Sequence, residues 1–411
     1  MNLASAAQIG RVYCPDCGLA QSLPVVPHHS VADCARCGGA LVRRLPGGVS
    51  AALALALTAA LLLFPANFLP LMVVTFRGAE RQNLTITGAT ALWDAGFPAL
   101  GTLVALFSVA VPMLWLLALL PSLFLVLRGK RRPWLGWLFR QADRLRPWAM
   151  TEVYLLGGLV AYSRIRDVAG VEIAAGGWAF VAFALMVLAV DAVLDRPIIW
   201  HAIGPDALGG TAEGDVIDCL DCGLIAPLDA EGTLCPRCAA RLHWRKPGSY
   251  MLTAAFTGAA FMLYVLANIL PILQIVRFGR EEPSTIFSGV RELLEAGLWP
   301  LALIVFLASI AVPLIKLTGL TWFLLAIRRG FTQRVMARTR LHRFIENIGR
   351  WSNIDVFMLS ILTALVQFGN LTRVDAEPGA VAFAAVVLLT MLASKAFDPR
   401  LMWDVVESED E

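Results

Sequence analysis

The strongest constraint on this 411-residue chain is a succession of uncharged apolar runs, each long enough to become a membrane helix. A spanning helix needs about 20 mostly apolar residues, because the hydrocarbon core is about 30 Å thick and a helix rises about 1.5 Å per residue. No charge appears across 49–76, and the next uncharged run covers 95–127, punctuated by Pro98, Pro112 and Pro121. Further stretches follow at 148–163, with the single acid Glu152, and at 173–190. The second half repeats the series at 250–276, 296–327 (one charge, Lys316), 354–372 and 379–394. Eight spans are expected, the third and seventh being short and each having an acid near its start. With 58% apolar and only 16% charged residues, the chain is far from the roughly 25% charge of an ordinary soluble protein. That excludes a disordered chain, a secreted disulfide scaffold and most cytosolic enzymes. A net charge of +3 is too small to argue for a nucleic-acid partner.

Orientation follows from the loops. Residues 128–147 hold seven Lys/Arg and 328–350 hold seven Arg, whereas the loops on the other side carry few. Excess Lys/Arg marks the cytoplasmic side, so both termini, both basic loops and the central 195–249 segment are expected there. No signal peptide is expected at the start. Within the first basic loop, Trp134, Trp137, Leu138 and Leu145 alternate with Arg. That pattern suits either a helix lying in the headgroup layer or a plain topogenic loop.

A shift near 201 residues superposes the two halves. Asn67-Phe68-Leu69-Pro70 matches Asn268-Ile269-Leu270-Pro271, and Val111-Pro112 matches Val312-Pro313. A shift of 203 aligns Trp148 with Trp351, Glu152 with Asp355, and Asp195-Arg196-Pro197 with Asp398-Pro399-Arg400. Each half is a Cys-bearing module ahead of four spans, and an even span count makes the halves parallel repeats. The expected fold is an all-α polytopic membrane protein of two tandem repeats. Its parts are ribbon 1 (1–48), membrane repeat 1 (49–197), ribbon 2 (198–249) and membrane repeat 2 with an acidic tail (250–411).

All eight cysteines fall in four C-x-x-C pairs: Cys14/Cys17 with Cys34/Cys37, and Cys219/Cys222 with Cys235/Cys238. Two such knuckles bring four thiolates to a tetrahedron, the usual arrangement for structural zinc. A Gly follows three of the four knuckles, freeing the turn that aims backbone amides at sulfur. Modules this small need a metal for stability. Tetrathiolate iron is the chemical rival and a redox dithiol the third reading, while disulfides fit poorly with a reducing cytoplasm. His28 and His29 read as loop residues rather than ligands.

Inside the membrane, Lys316 needs a partner, because an isolated charge at mid-span costs ~2.5–3.5 kcal/mol on insertion scales. Asp355, near the start of span seven, is the expected counter-ion. Glu152 holds the equivalent place in repeat 1, where the residue matching Lys316 is Trp115. That asymmetry fits a functional site in one half, or a single structural ion pair. Asp191 and Lys395, at the ends of spans four and eight, are expected to snorkel to the interface. Asn67 and Asn268 precede Pro70 and Pro271 and suit a proline kink or an opening toward the far side. Ser108 and Ser309 match each other and either line the same interior or bond their own helix.

No phosphate-binding loop, H-E-x-x-H, G-x-S-x-G or dinucleotide fingerprint occurs in the sequence, so no enzymatic activity is expected. The doubled C-x-x-C modules, the N-x-L-P of the first span and the terminal Phe397-Asp398-Pro399-Arg400-Leu401-Met402-Trp403-Asp404 together resemble the paraquat-inducible protein A family over essentially the whole chain. The first repeat carries a shuffled version of that end motif, with Arg196 and Pro197 exchanged. The resemblance implies a bacterial inner-membrane protein that moves phospholipid between inner and outer membranes with a periplasmic MCE-domain partner. It further implies zinc ribbons at the eight cysteines and a polar intramembrane cluster at Lys316 and Asp355. A non-transporting scaffold that anchors the same partner, and a redox-responsive membrane protein, are the alternatives.

Overall fold

In the computed structural model, residues 11–410 are described except 24–25, 28–29, 44–46, 77, 167–169, 206, 208–215, 278–279 and 366–371. Six helical stretches among the described residues are long and apolar enough to cross a membrane: Gly48–Phe68, Pro98–Leu127, Ala175–Val193, Ser249–Ile269, Trp299–Arg328 and Pro378–Glu407, the last broken after Ala396. The third and seventh runs instead form Thr151–Ile165 and Ile354–Leu365, of 15 and 12 residues. At about 1.5 Å per residue these reach about 23 and 18 Å, short of the hydrocarbon core. The described residues therefore give six helices of spanning length rather than eight; 366–371, the remainder of the seventh run, lie outside them.

The two short helices form the centre of the molecule. Every residue of Ile354–Leu365 is buried, and this helix packs against Thr151–Ile165 and Thr87–Asp94 of the other repeat. Against Thr151–Ile165 the approach is tight at Gly157, where a Cβ would stand 3.0 Å from Phe357 Cβ and 3.1 Å from the Ile354 carbonyl, and against Thr87–Asp94 at Gly88, where it would stand 2.9 Å from the Ser360 carbonyl oxygen. Tyr154 meets Phe357 edge-on at 5.3 Å between ring centroids. Around this seam the first and last long helices of each repeat pack side by side. Small residues such as Ala52, Ala56, Ala59 and Ala66 line the buried face of the first helix, which is how membrane helices come close without large side chains.

Both repeats carry the same local irregularity. The second spanning helix of each half widens into a π turn, at Leu106–Ala110 and Leu307–Ala311, immediately before Val-Pro. Pro112 and Pro313 cannot donate an N–H and crowd the preceding turn, so the ladder opens there.

The fold is mostly helical, but the expectation of an all-α chain needs correcting. The chain leaving the first span forms Met72–Phe76, which pairs with Ala79–Asn83 and Gly170–Ile173 in an antiparallel sheet. The second repeat forms the same sheet from Leu273–Arg277, Arg280–Ser284 and Thr372–Ala376. Pro70 and Pro271 accordingly follow the ends of helices Gly48–Phe68 and Ser249–Ile269; they terminate these spans rather than kink them. The Val-Val-Thr-Phe run at 73–76, β-branched and then aromatic, favours strand.

At the opposite ends of the spans, short hairpins build the two ribbons: Arg11–Tyr13 with Ala20–Ser22, Val31–Asp33 with Ala40–Arg43, and Val216–Asp218 with Ile225–Pro227. The seating of the ribbons is crossed. Ribbon 1 packs its cysteines against Phe323, Ile345, Phe397, Met402 and Trp403 of repeat 2. Ribbon 2 rests on repeat 1, where helix Leu135–Leu145 of the first basic loop offers Gly136 against the Arg237 backbone and Arg144 pairs with Asp221 at 2.9 Å. The loop helix is therefore a shelf for ribbon 2, with Trp134 and Trp137 exposed beside it. The expected boundary at 197/198 falls inside the helix Arg196–Ile203.

Candidate functional site

Each knuckle is built by the same backbone device. The first cysteine's carbonyl accepts from the residue after the second cysteine: Gly18 to Cys14 at 2.9 Å, Gly38 to Cys34 at 2.9 Å, Gly223 to Cys219 at 2.8 Å and Ala239 to Cys235 at 2.8 Å. Closing that turn requires positive φ, and the three glycines adopt it readily. Ala239 takes it as well, at φ 57°, against the steric preference of a residue with Cβ.

The turns bring four Sγ atoms together in each ribbon, all within 4.8 Å of one another. Cys14 and Cys37 are 3.5 Å apart, Cys17 and Cys34 3.6 Å, Cys219 and Cys238 3.6 Å, and Cys222 and Cys235 3.7 Å. A tetrahedron of ~2.3 Å metal–sulfur bonds has edges of about 3.8 Å, so both tetrads fit a tetrahedral metal ion. All eight thiols are free of disulfides and buried. Burial and the neighbouring Cys14 push the Cys37 thiol up to about 12; four thiolates this close repel one another, and a cation among them would offset that repulsion. Positive charge also approaches from outside, since Arg343 donates to Cys37 Sγ at 3.0 Å and to Asp16 at 2.7 Å. His28 and His29 lie outside the described residues.

The intramembrane residues are arranged differently from expectation. Lys316 is fully buried, and its ammonium donates to the Gly349 carbonyl at 3.2 Å and to Thr390 Oγ1 at 3.1 Å. It does not pair with Asp355. That acid lies in the central helix beside a small cavity lined by Ser284, Thr285, Gly289 and Met358. Lys316 opens instead into a cavity of about 190 Å³ on the basic-loop side, between Pro147 of repeat 1 and Glu346, Ser394 and Lys395 of repeat 2.

Repeat 1 satisfies its acid with a cation from the loop. Arg146 lies 3.4 Å from Glu152 and donates to Asp191 at 2.7 Å, while its guanidinium stacks over Trp115. Asp191 is therefore an ion-pair partner rather than a snorkelling end group. Trp115 occupies the position of Lys316, and Gly349 that of Arg146. The positive group has thus moved from the loop in one repeat to the helix in the other. Gly349 makes room for it, because a Cβ there would stand 2.9 Å from Lys316 Cε. Sequence reading missed Arg146, Thr390 and Gly349, although the 203-residue shift already placed Arg146 opposite a glycine.

Asn67 and Asn268 both donate to carbonyls four residues back, Leu63 and Tyr264, at 2.8 Å. The Ala66 carbonyl accepts from Thr85 at 2.8 Å. Ser108 bonds the Val104 carbonyl at 2.7 Å. Ser309, at the matching π turn, is buried with no hydrogen-bond partner among the described residues.

Comparison with known proteins gives a consistent answer. The model of the family described as paraquat-inducible protein A matches residues 49–204 and 251–407, the two membrane repeats. The chain is 32% identical over 414 residues to the intermembrane transport protein PqiA of Escherichia coli K12, covering 97% of each. It is 30% identical over 399 residues to the lipophilic envelope-spanning tunnel protein A of the same strain, covering 96% of this chain and 91% of that one. A probable intermembrane transport protein of Haemophilus influenzae is 25% identical over 405 residues, 96% of each. No solved structure matches the chain.

Proposed function

Because the chain belongs to the paraquat-inducible protein A family, we propose that it is the inner-membrane component of an MCE-type lipid-transport system. In this reading it passes phospholipid to, or receives it from, a periplasmic MCE-domain partner on the way between inner and outer membranes, with no enzymatic step of its own. The observation that carries the reading is near full-length likeness to relatives named for intermembrane transport and for an envelope-spanning tunnel. Both termini, the ribbons and the basic loops face the cytoplasm, and the β-sheets face the periplasm. The separation of ribbons and sheets to opposite ends of the spans supports this, as does the Lys/Arg excess on the ribbon side. The six long helices and the two short central ones make eight membrane-embedded helices.

The ribbons hold zinc in this proposal, one ion per tetrad. Closed four-thiolate sites of this spacing are structural, and their task here is to fix the cytoplasmic platform. Lys316, buried and bonded to a carbonyl and a hydroxyl rather than paired to a carboxylate among the described residues, is the group that responds to a lipid headgroup or to a change in access.

The test is transfer of a fluorescent phospholipid between vesicles bearing the full chain and acceptor vesicles bearing its MCE partner. Lys316→Met, which keeps the length of the side chain and removes the charge, is expected to slow transfer at least about tenfold while partner binding and zinc content stay unchanged. Unaltered transfer would favour the scaffold reading. Metal analysis of the purified chain separately decides zinc from iron and from a metal-free dithiol.

A further inference from the structure

Arg400 is the point at which the two ribbons and the second membrane repeat meet. It is buried to 2% exposure, immediately before the terminal helix Leu401–Asp410. Its Nη1 and Nη2 donate to Asp218 Oδ1 and Oδ2, both at 2.7 Å. Its Nε donates to the Pro15 carbonyl at 3.2 Å. Asp218 directly precedes Cys219, the first ligand of ribbon 2, and Pro15 lies between Cys14 and Cys17 in ribbon 1. One planar guanidinium therefore touches the first knuckle of both tetrads, using the fork geometry that only Arg provides.

The surroundings hold this group in place. The Arg400 amide donates to Asp398 Oδ1 at 3.1 Å, and Asp398 Oδ2 accepts from the Lys246 amide at 3.0 Å. Beside it Arg245, in the last residues of ribbon 2, forks onto Asp404 at 2.6 and 2.9 Å. Arg36 of ribbon 1 lies over Trp403, 4.4 Å from the ring centroid. The equivalent Arg196 of repeat 1 does none of this: it is 43% exposed and pairs with Asp143 at 2.8 Å.

We infer that Arg400 is a positioning residue that couples the two metal centres, so that each ribbon holds its ion more tightly when the other is filled. When ribbon 2 loses its ion and Asp218 moves away, Arg400 becomes a buried cation that has lost its forked carboxylate and keeps only the charge of Asp398 nearby, an unfavourable state. It leaves its seat, and the Pro15 carbonyl in ribbon 1 loses its donor. The same argument runs from ribbon 1 to ribbon 2, since coupling between sites is reciprocal. The inference rests on the proposal that the ribbons bind metal.

The experiment uses the zinc-loaded full chain in lipid nanodiscs, with a chelator present and cysteine alkylation read peptide by peptide. Disabling ribbon 2 by Cys219→Ser with Cys222→Ser is expected to speed alkylation of Cys34 and Cys37 at least about fivefold. In an Arg400→Gln background the same change is expected to add nothing further, which a destabilisation common to both ribbons would not produce. Asp218→Asn leaves all eight ligands and Arg400 in place and is expected to abolish the coupling too; it decides the matter if Arg400→Gln fails to fold. Ribbon 1 protected equally with and without ribbon 2, or coupling that survives both variants, would overturn the inference while leaving two bound ions. A purified chain without metal would instead remove the metal proposal itself.

Discussion

Replacing Gly136 by Ala tests the crossed seating of ribbon 2 through the sign of a single stability change. Gly136 lies in the first turn of Leu135–Leu145, where helix propensity alone makes Ala better by up to about 1 kcal/mol. In the folded chain, however, a Cβ at this position would overlap the Arg237 carbonyl oxygen and stand 2.8 Å from its carbon. Carbon atoms rest at about 3.5 Å or more, so the ribbon must retreat by at least about 0.7 Å to clear the carbon, and further to clear the oxygen. A gap of that size forfeits a quarter to a half of the contact energy of the atoms around it, and overpacking of this kind costs about 1–3 kcal/mol. The backbone atoms of Arg237 cannot swing aside as a flexible side chain would. The variant is expected to unfold at lower temperature than the parent in nanodiscs, with Cys235 and Cys238 alkylated faster under chelator. A gain in thermal stability with unchanged alkylation would refute the seating, because propensity would then be acting alone.

Three further outcomes are expected. His342 is buried against Phe323 and Phe397, and burial with the nearby Lys246 charge brings its imidazole down to about 4. Its contribution is therefore full above about pH 6.5 and is lost as pH falls toward 4, amounting to about 3 kcal/mol; His342→Phe should flatten the thermal-stability profile across that window. Ala239→Gly relieves a left-handed residue worth about 1–2 kcal/mol against about 0.4–1 kcal/mol of added unfolded-state freedom, so slower alkylation of Cys235 and Cys238 under chelator is expected. Gly349→Ala should lower thermal stability by about 1 kcal/mol by crowding the flexible end of Lys316, and should cost less in a Lys316→Ala background.

Local chemistry was legible in the sequence and long-range pairing was not. The C-x-x-C spacings fix the knuckles because the turn closes within five residues, and the apolar runs fix the long helices because hydrocarbon admits little else. Lys316 looked like a partner for Asp355 because both are charged and lie in one repeat. The ammonium is instead satisfied by a carbonyl and a hydroxyl, groups every sequence offers and no charge pattern reveals. The crossed ribbons depend on contacts such as Arg400 to Pro15, 385 residues apart. The exchanged order of Arg196 and Pro197 against Pro399 and Arg400 was the visible trace of that difference. Moving an Arg one place sends its side chain to a different neighbour, Asp143 in one half and both ribbons in the other.

Crossed seating also sets an order on how the chain is completed. Part of the seat of ribbon 1 is made long after the ribbon itself, since Arg400 follows Pro15 by 385 residues and Met402 and Trp403 come later still. At about 5–20 residues per second of synthesis, the knuckles of ribbon 1 wait about 20–80 s for these residues to be made. Until those residues are in place ribbon 1 has no complete seat, so its docking must follow synthesis of the second repeat.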